Sequence, residues 1–452
     1  MKVAIVGTGY VGLVTGVCLA SRGHRVICVD KNQAIVDQLN KKVPTIYEKN
    51  LPELLTEVYS SGNFLASSNL AESLKDVEIV LVAVGTPSPD GAIDLSQVIS
   101  AITEIGEYIR WTKKFISVVI KSTVTPSTTD SVIRNQLEKT SGGKVGVDFG
   151  LGMNPEFLRE GNAIEDFMSP DRIVLGYEDE QTLNRLRLLY SSWEVGLVEV
   201  NTRTAEMIKY ANNALLAIQI SSVNELSNLA ANLGGIDSTD VMRGVFLDKR
   251  WSITSQGERV QLGILDYMIP GCGFGGSCFP KDVKALRTMG KSLGLSMSLL
   301  DSVLDVNERQ PLEVVKALSA KIGTLLGVKI LVLGLAFKPG TDDVRETASE
   351  KIITTLLQSG AEVFAHDPIA IEGFKLLLGS NQAKIRFVNE WVDQVKEVDV
   401  VIIATAWPEY KKLQSMRLES VIVFDARKML NKSALSAKDY LTIGYRSLLP
   451  LV

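Results

Sequence analysis

Short runs of consecutive apolar residues alternate with stretches of helical character from the first residue onward. Lys2–Val6 and Arg25–Asp30 are strand-length and apolar, and Val11–Arg22 between them has a helical composition. Glu78–Val84, Ser117–Lys121 and Arg172–Leu175 continue the series as strands. This rhythm predicts a parallel sheet with helices on both faces, the doubly wound α/β class. The pattern changes near Asn201. From Thr204 to Leu233 there is neither Pro nor Gly, and Gly234–Gly235 end the run. A helix of that span is about 45 Å long at 1.5 Å per residue. Its alternative is two helices broken near Ser221–Ser222. Strand and helix alternate again from Lys329: Lys329–Leu333, Glu362–Ala365, Asp399–Ala404 and Val421–Phe424 as strands, Glu346–Gln358 as a helix. The second half echoes the first at different spacing, which predicts two Rossmann-like domains joined by a helical region.

Glycine and charge placement give the first half a chemistry. Gly7-Thr8-Gly9-Tyr10-Val11-Gly12 follows a strand and opens a helix, the context in which this spacing binds a dinucleotide. Gly7 serves the tight turn, Gly9 lets the backbone approach a pyrophosphate, and Gly12 lets helix and strand pack closely. Asp30 ends the second strand, where a carboxylate takes the ribose hydroxyls and repels a 2′-phosphate, so NAD is expected over NADP. Lys31 beside it weakens that preference, and FAD shares the fingerprint. The second half lacks the motif, because Gly340 stands too far beyond Gly334 to open such a helix.

The segment Gly271-Cys272-Gly273-Phe274-Gly275-Gly276-Ser277-Cys278-Phe279-Pro280-Lys281-Asp282 fits neither a helix nor a strand interior. Pro280 suits the first turn of a helix, which puts Cys278 at a helix start with Lys281 close by. Both surroundings favour a thiolate. A dehydrogenase that stops at an aldehyde needs no thiol. One that goes on to the acid can add a thiolate to the aldehyde, remove a second hydride and hydrolyse the thioester. The glycines are expected to let substrate approach, and Asp282 to hold a water or orient a base. Lys209 and Asn213 share a helix face and can stabilise an oxyanion. Glu156 and Glu160 are the candidate bases, because the chain has only two histidines, His24 and His366.

Bulk properties exclude other classes. With 46% hydrophobic and 22% charged residues the chain can fold around large cores, and a net charge of −4 argues against nucleic acid as a partner. No apolar run approaches a membrane span, and a signal peptide would have to be cut within the glycine loop, so none is expected. Four cysteines without a CxxC pair fit a reducing cytosol, and no metal site is expected. Cys18, Cys28 and Cys272 are expected to be inert.

Gly7–Gly12, Val84–Pro87, Lys121–Val124, Asn154–Gly161, Glu206–Asn213, Gly273–Asp282, Gly334–Glu346 and Asp425–Arg427, in that order, resemble the UDP-glucose/GDP-mannose dehydrogenase family over nearly the whole chain. The resemblance implies an NAD-binding Rossmann domain over 1–200, a central helical dimerisation domain with the cysteine loop over 201–310, and a C-terminal Rossmann-like sugar-nucleotide domain over 311–452. It implies a cytoplasmic homodimer, built on the long helix 204–233, that oxidises a sugar C6 alcohol to a carboxylate with two NAD. By the same resemblance Cys278 is the nucleophile, Lys209 and Asn213 stabilise oxyanions, Asp282 and Thr123 assist through water, and Glu156 serves thioester hydrolysis. Tyr10, Val11, Thr86, Pro87, Thr123, Glu160 and Arg345 join the glycines and Asp30 as NAD contacts. Phe157, Leu158, Phe274, Gly275, Lys338 and Arg427 join Glu156, Lys209 and Asn213 as substrate contacts. Arg250 and Arg259 compete for the substrate-binding arginine, because Asp248–Ile269 is longer than usual in the family. Among its branches the cysteine segment is most similar to the UDP-glucose-oxidising one, where the N-acetyl-hexosamine branch has histidine for Ser277. The alternatives are another nucleotide sugar, a one-step 3-hydroxyacid or 6-phosphogluconate-type dehydrogenase, and a non-catalytic NAD sensor.

Overall fold

The computed structural model describes residues 1–88, 91–255 and 258–447. Two compact units divide within the long helix, Met1–Asn212 and Asn213–Val452.

The first unit is built on an eight-stranded sheet: β1 (Lys2–Val6), β2 (Arg25–Val29), β3 (Phe64–Ser67), β4 (Ile79–Val82), β5 (Ser117–Ile120), β6 (Gly150–Met153), β7 (Ile173–Tyr177) and β8 (Leu197–Val200), in the order β3-β2-β1-β4-β5-β6-β7-β8. Alternate residues of β1 feed different cores. Val3 and Ile5 pack on one face with the helix Tyr10–Ser21, and Ala4 and Val6 on the other with the helix Ser96–Thr112. Burial on both faces is why these strands read as continuous apolar runs. The sheet departs from the all-parallel expectation at one place: β7 runs antiparallel to β6. The chain between them carries only the short helix Ala163–Met168, and an antiparallel pair needs no crossover helix.

The second unit contains a six-stranded sheet of β11 (Lys329–Leu333), β12 (Glu362–His366), β13 (Ile385–Phe387), β14 (Val400–Ile403), β15 (Arg417–Asp425) and β16 (Ser436–Thr442), after a small hairpin of β9 (Ile253–Ser255) and β10 (Glu258–Val260). Its order, β13-β12-β11-β14-β15-β16, and its parallel pairings repeat those of β3 to β6. The Gly7 amide donates to Val29 O, and the Gly334 amide to His366 O, both at 2.8 Å. The helix expected over Glu346–Gln358 starts at Ala348, because Thr347 caps it through its hydroxyl and Glu346 adopts a positive φ of 50°.

The long helix is unbroken from Thr202 to Leu233, which excludes the break near Ser221–Ser222. Ser221 is buried and donates to Val303 O (3.0 Å), so the serine serves helix packing rather than termination.

Candidate active site

The glycine loop opens onto a cavity of about 540 Å³ lined by Gly7, Thr8, Gly9, Asp30, Lys31, Gly85, Gln97, Ser100 and Glu104, among others. Gly7 has a φ of 96°, and a Cβ there would lie 2.7 Å from Ala83 O. A Cβ on Gly12 would land on the carbonyl oxygen of Gly7, whereas one on Gly9 would meet nothing within 4 Å. Gly7 and Gly12 therefore serve the fold, and Gly9 leaves room for a ligand. Asp30 is oriented by the Thr8 amide (3.0 Å) and hydroxyl (2.6 Å) on Oδ2 and by the Asn32 amide (3.0 Å) on Oδ1. These residues fit a dinucleotide: an open backbone approach at a helix N-terminus and a fixed carboxylate for the ribose. The corresponding Asp367 of the second unit is buried, and its carboxylate accepts from the Leu335, Ala336, Ile369 and Ala370 amides and the Trp407 indole. Its acceptors are occupied by amides of its own loop and of the loop after β11 and by the Trp407 indole, unlike those of Asp30.

Tyr10, expected among the cofactor contacts, turns its hydroxyl to the buried carboxylate of Glu48. The same Glu48 accepts from the Gly161 amide (2.7 Å) and the Ala163 amide (2.9 Å). It ties the start of the first helix to the Asn154–Gly161 segment, where Glu160 resides. Val11 continues that helix. Thr86 donates its hydroxyl to Thr123 O (2.9 Å), and Ser122 to Val84 O (2.7 Å), so the loops after β4 and β5 are joined. Pro87 accepts from the Asp94 amide (2.8 Å). Glu206, at the start of the long helix, accepts from the Ser127 and Thr129 amides and fixes the chain that follows Thr123. Burial pushes its carboxyl up to about 7.

Beyond β6 the chain presents Glu156, whose Oε1 lies 2.8 Å from Lys209 Nζ, with both side chains at least 95% buried. Oε2 accepts from the Leu158 amide (2.6 Å). Burial pushes the Glu156 carboxyl up, but the Lys209 charge and hydrogen bond, the Leu158 amide and Lys121 outweigh it, and it sits below its ordinary value. Phe157 lies between cations, with the Arg172 guanidinium 4.0 Å and Lys209 Nζ 5.6 Å from its ring centre. Lys121, at the end of β5, is itself buried and donates to Asn154 Oδ1 (2.9 Å), which also accepts from the Tyr190 hydroxyl (2.5 Å). Burial pulls the Lys121 ammonium down to about 8, with Lys209 acting in the same direction and Glu156 against it.

In the second unit Cys278 immediately precedes the helix Phe279–Ser292, with Pro280 in the first turn, and is half-buried, whereas Cys18, Cys28 and Cys272 are buried. The first turn is regular: the Asp282 amide donates to Cys278 O at 2.8 Å. Asp282 is buried, and its carboxylate takes the Asn213 amide (2.7 Å) on one oxygen and Lys281 Nζ (2.8 Å) on the other. Lys281 thus pairs with Asp282. The glycines face protein rather than open space. A Cβ on Gly275 would land on Glu346 O, one on Gly276 would meet the Phe337 ring at 2.7 Å, and one on Gly273 would strike Asn307 Oδ1. The Gly276 amide donates to Arg345 O (2.9 Å). Gly275 and Gly276 let the cysteine loop nest under Phe337–Glu346, and Gly273 lets it pack against Asn307. Phe274 is buried and meets Phe279 edge-on.

The remaining candidates are more dispersed. Arg345 is paired with Asp343 (2.7 Å), Lys338 Nζ lies 5.6 Å from the Phe337 ring centre, and Arg427 donates through Nε to Ala404 O (2.6 Å) at the C-terminal end of β14. Arg250 pairs with Asp248 (2.7 Å) and is 82% exposed, and Arg259 is exposed on β10. His24 meets the N-terminal amine and His366 the Tyr410 hydroxyl. The sequence reading missed Glu48, Asn154, Tyr190 and Glu104. A polar residue inside an apolar run was the available signal for Asn154 alone.

Residues 1–194 match the UDP-glucose/GDP-mannose dehydrogenase family, NAD binding domain, 203–309 its central domain and 331–432 its UDP binding domain. The UDP-glucose 6-dehydrogenase TuaD of Bacillus subtilis is 35% identical over 445 residues, covering 97% of this chain and 92% of its own length. The UDP-glucose 6-dehydrogenase AglM of Haloferax volcanii is 37% identical over 440 residues, with 96% and 98% covered. A UDP-glucose dehydrogenase structure from the hyperthermophilic archaeon Pyrobaculum islandicum is 40% identical, with a TM-score of 0.89 over 98% of each chain. The match over 1–194 is to an NAD binding domain, and Asp30 and the open face of Gly9 suit the cavity there to a dinucleotide. The chain belongs to the UDP-glucose/GDP-mannose dehydrogenase family.

Proposed function

We propose that this chain is a UDP-glucose 6-dehydrogenase that oxidises the C6 alcohol of UDP-glucose to the carboxylate of UDP-glucuronate. The observation that carries the reading is Cys278, the one cysteine of four that is only half-buried, at a helix start in a chain with an NAD-binding unit. NAD supplies a two-electron hydride acceptor, used twice per turnover. The Cys278 thiolate adds to the C6 aldehyde, forming a C–S bond and placing negative charge on oxygen. Loss of the second hydride from that thiohemiacetal gives a thioester. Water then attacks the thioester carbon, the C–S bond breaks, and the acid leaves with the thiol restored. Lys209 and Asn213 stabilise the oxyanions. Glu156 acts in thioester hydrolysis, and Thr123 and Asp282 assist through water. Gly9, Tyr10, Val11, Asp30, Thr86, Pro87, Thr123, Glu160 and Arg345 contact the cofactor on the turn that Gly7 and Gly12 allow, while Glu156, Phe157, Leu158, Lys209, Asn213, Phe274, Gly275, Lys338, Arg427 and one of Arg250 and Arg259 hold the sugar nucleotide.

We further propose three functional regions, 1–200, 201–310 and 311–452, in a cytoplasmic homodimer. The dimer reading is supported by Leu215, Leu226, Leu229 and Leu233, which leave the long helix with exposed apolar side chains. The test of the activity is stoichiometry. Two NADH per UDP-glucose are expected, together with loss of turnover and retained NAD binding in Cys278→Ala. One NADH, or full activity in that variant, refutes the covalent route. GDP-mannose and the N-acetylated UDP-sugars in the same assay fix the sugar.

A further inference from the structure

The wall of the NAD cavity carries a charge arrangement that the glycine motif does not explain. Of the described residues lining it, Lys31 alone is basic, and Asp30 and Glu104 are acidic. Lys31 Nζ lies 2.6 Å from Glu104 Oε1 and 2.9 Å from Ser100 Oγ, both on the helix Ser96–Thr112. Asp30 is held separately, by Thr8 and Asn32. The ammonium of the residue that follows Asp30 is therefore neutralised by a different element, one that plays no part in the dinucleotide motif.

We propose that Glu104 is a second determinant of cofactor choice, acting by holding Lys31. A 2′-phosphate brings close to two negative charges and needs a cation to replace its water. Next to Asp30 it meets one carboxylate, and the cation that could offset it is engaged by another. Removing the charge of Glu104 does two things with the same sign. It takes one anion out of the wall, and it releases a long flexible ammonium within reach of the phosphate. Lys31, which in the sequence weakens the preference for NAD, becomes compatible with it only because of Glu104. The Lys31 and Glu104 side chains are 71% and 40% exposed, so breaking the pair leaves the fold intact.

The test is calorimetric titration of NAD and of NADP into the full-length protein without sugar nucleotide. It depends on the cofactor site alone, and its outcome is independent of which sugar is oxidised. In Glu104→Gln the affinity for NADP relative to NAD should rise about five- to tenfold, the yield of one partly exposed ammonium–phosphate contact. In Glu104→Gln/Lys31→Ala most of that gain should vanish, leaving only the smaller effect of one anion fewer in the wall. Asp30→Asn serves as the reference for a change at the carboxylate that ends the second strand. An unchanged ratio in Glu104→Gln, alongside a shifted ratio in Asp30→Asn, overturns the proposal. A gain that survives undiminished without Lys31 overturns it as well, because the effect would then lie in the Glu104 charge alone.

Discussion

The Glu156–Lys209 pair allows a quantitative test of how the site is held. Both groups are buried and 2.8 Å apart, so at an effective dielectric of about 20 their attraction is roughly 6 kcal/mol before desolvation is subtracted. Lys209→Met leaves a buried carboxylate, and Glu156→Gln a buried ammonium. Each should destabilise the first unit by about 3–5 kcal/mol. The double variant removes both charges, and it should be at least about 2 kcal/mol more stable than the two single losses summed. The pH dependence gives a second reading. In the wild type the Glu156 carboxyl is held below its ordinary value, so its contribution is complete above that value and lost as pH falls through the depressed one. In Lys209→Met burial acts with less opposition and raises the carboxyl above its unfolded value. The variant should then gain stability as pH falls from 7 to 5, where this group leaves the wild type flat. Hydrogen exchange by mass spectrometry along a urea series, read on peptides covering 150–160 and 202–212, measures both. A coupling under about 0.5 kcal/mol, or a deficit independent of pH, refutes the account.

Lys121, pulled down to about 8, binds fewer protons folded than unfolded between that value and 10.5, so stability should rise with pH across this window by up to about 3 kcal/mol, and Lys121→Met should flatten the rise in unfolding titrations at pH 8 and 10. Gly9→Ala should keep the wild-type melting temperature and bind NAD at least about tenfold more weakly, because its Cβ meets only the ligand's space, whereas Gly12→Ala should lose both, the clash being with Gly7 backbone. If the long helix forms the proposed dimer, Leu226→Arg/Leu229→Arg should yield a monomer where the wild type scatters light as a dimer, with the fold intact, since both side chains are more than half exposed in the single chain.

The legible parts of the molecule were those whose cause is local. Gly7 to Gly12 and Cys278 to Asp282 are each set by one turn of chain, and the core strands announced themselves because both faces of the sheet are covered. Long-range contacts left no such trace. Glu48 accepts from Gly161 across 113 positions, and nothing near Glu48 in sequence requires a buried carboxylate there. The antiparallel β7 was invisible because an apolar run carries no direction. The glycines before Cys278 were legible only in part. Their need for space was readable, but the neighbour filling it, Phe337 or Glu346, stands on a distant loop.

Burial sorts the four cysteines into two chemical kinds. Cys18, Cys28 and Cys272 lie in apolar cores that push their thiols up, Cys18 to about 12. Toward a thiol reagent at neutral pH the native protein is expected to behave as a single-thiol molecule, so that a label can be placed without removing any residue. The same seclusion has a redox consequence. A sulfenic acid on Cys278 finds no surface thiol in its own chain with which to close a protective disulfide, so its rescue falls to small-molecule thiols, and further oxidation to the sulfinic acid is permanent.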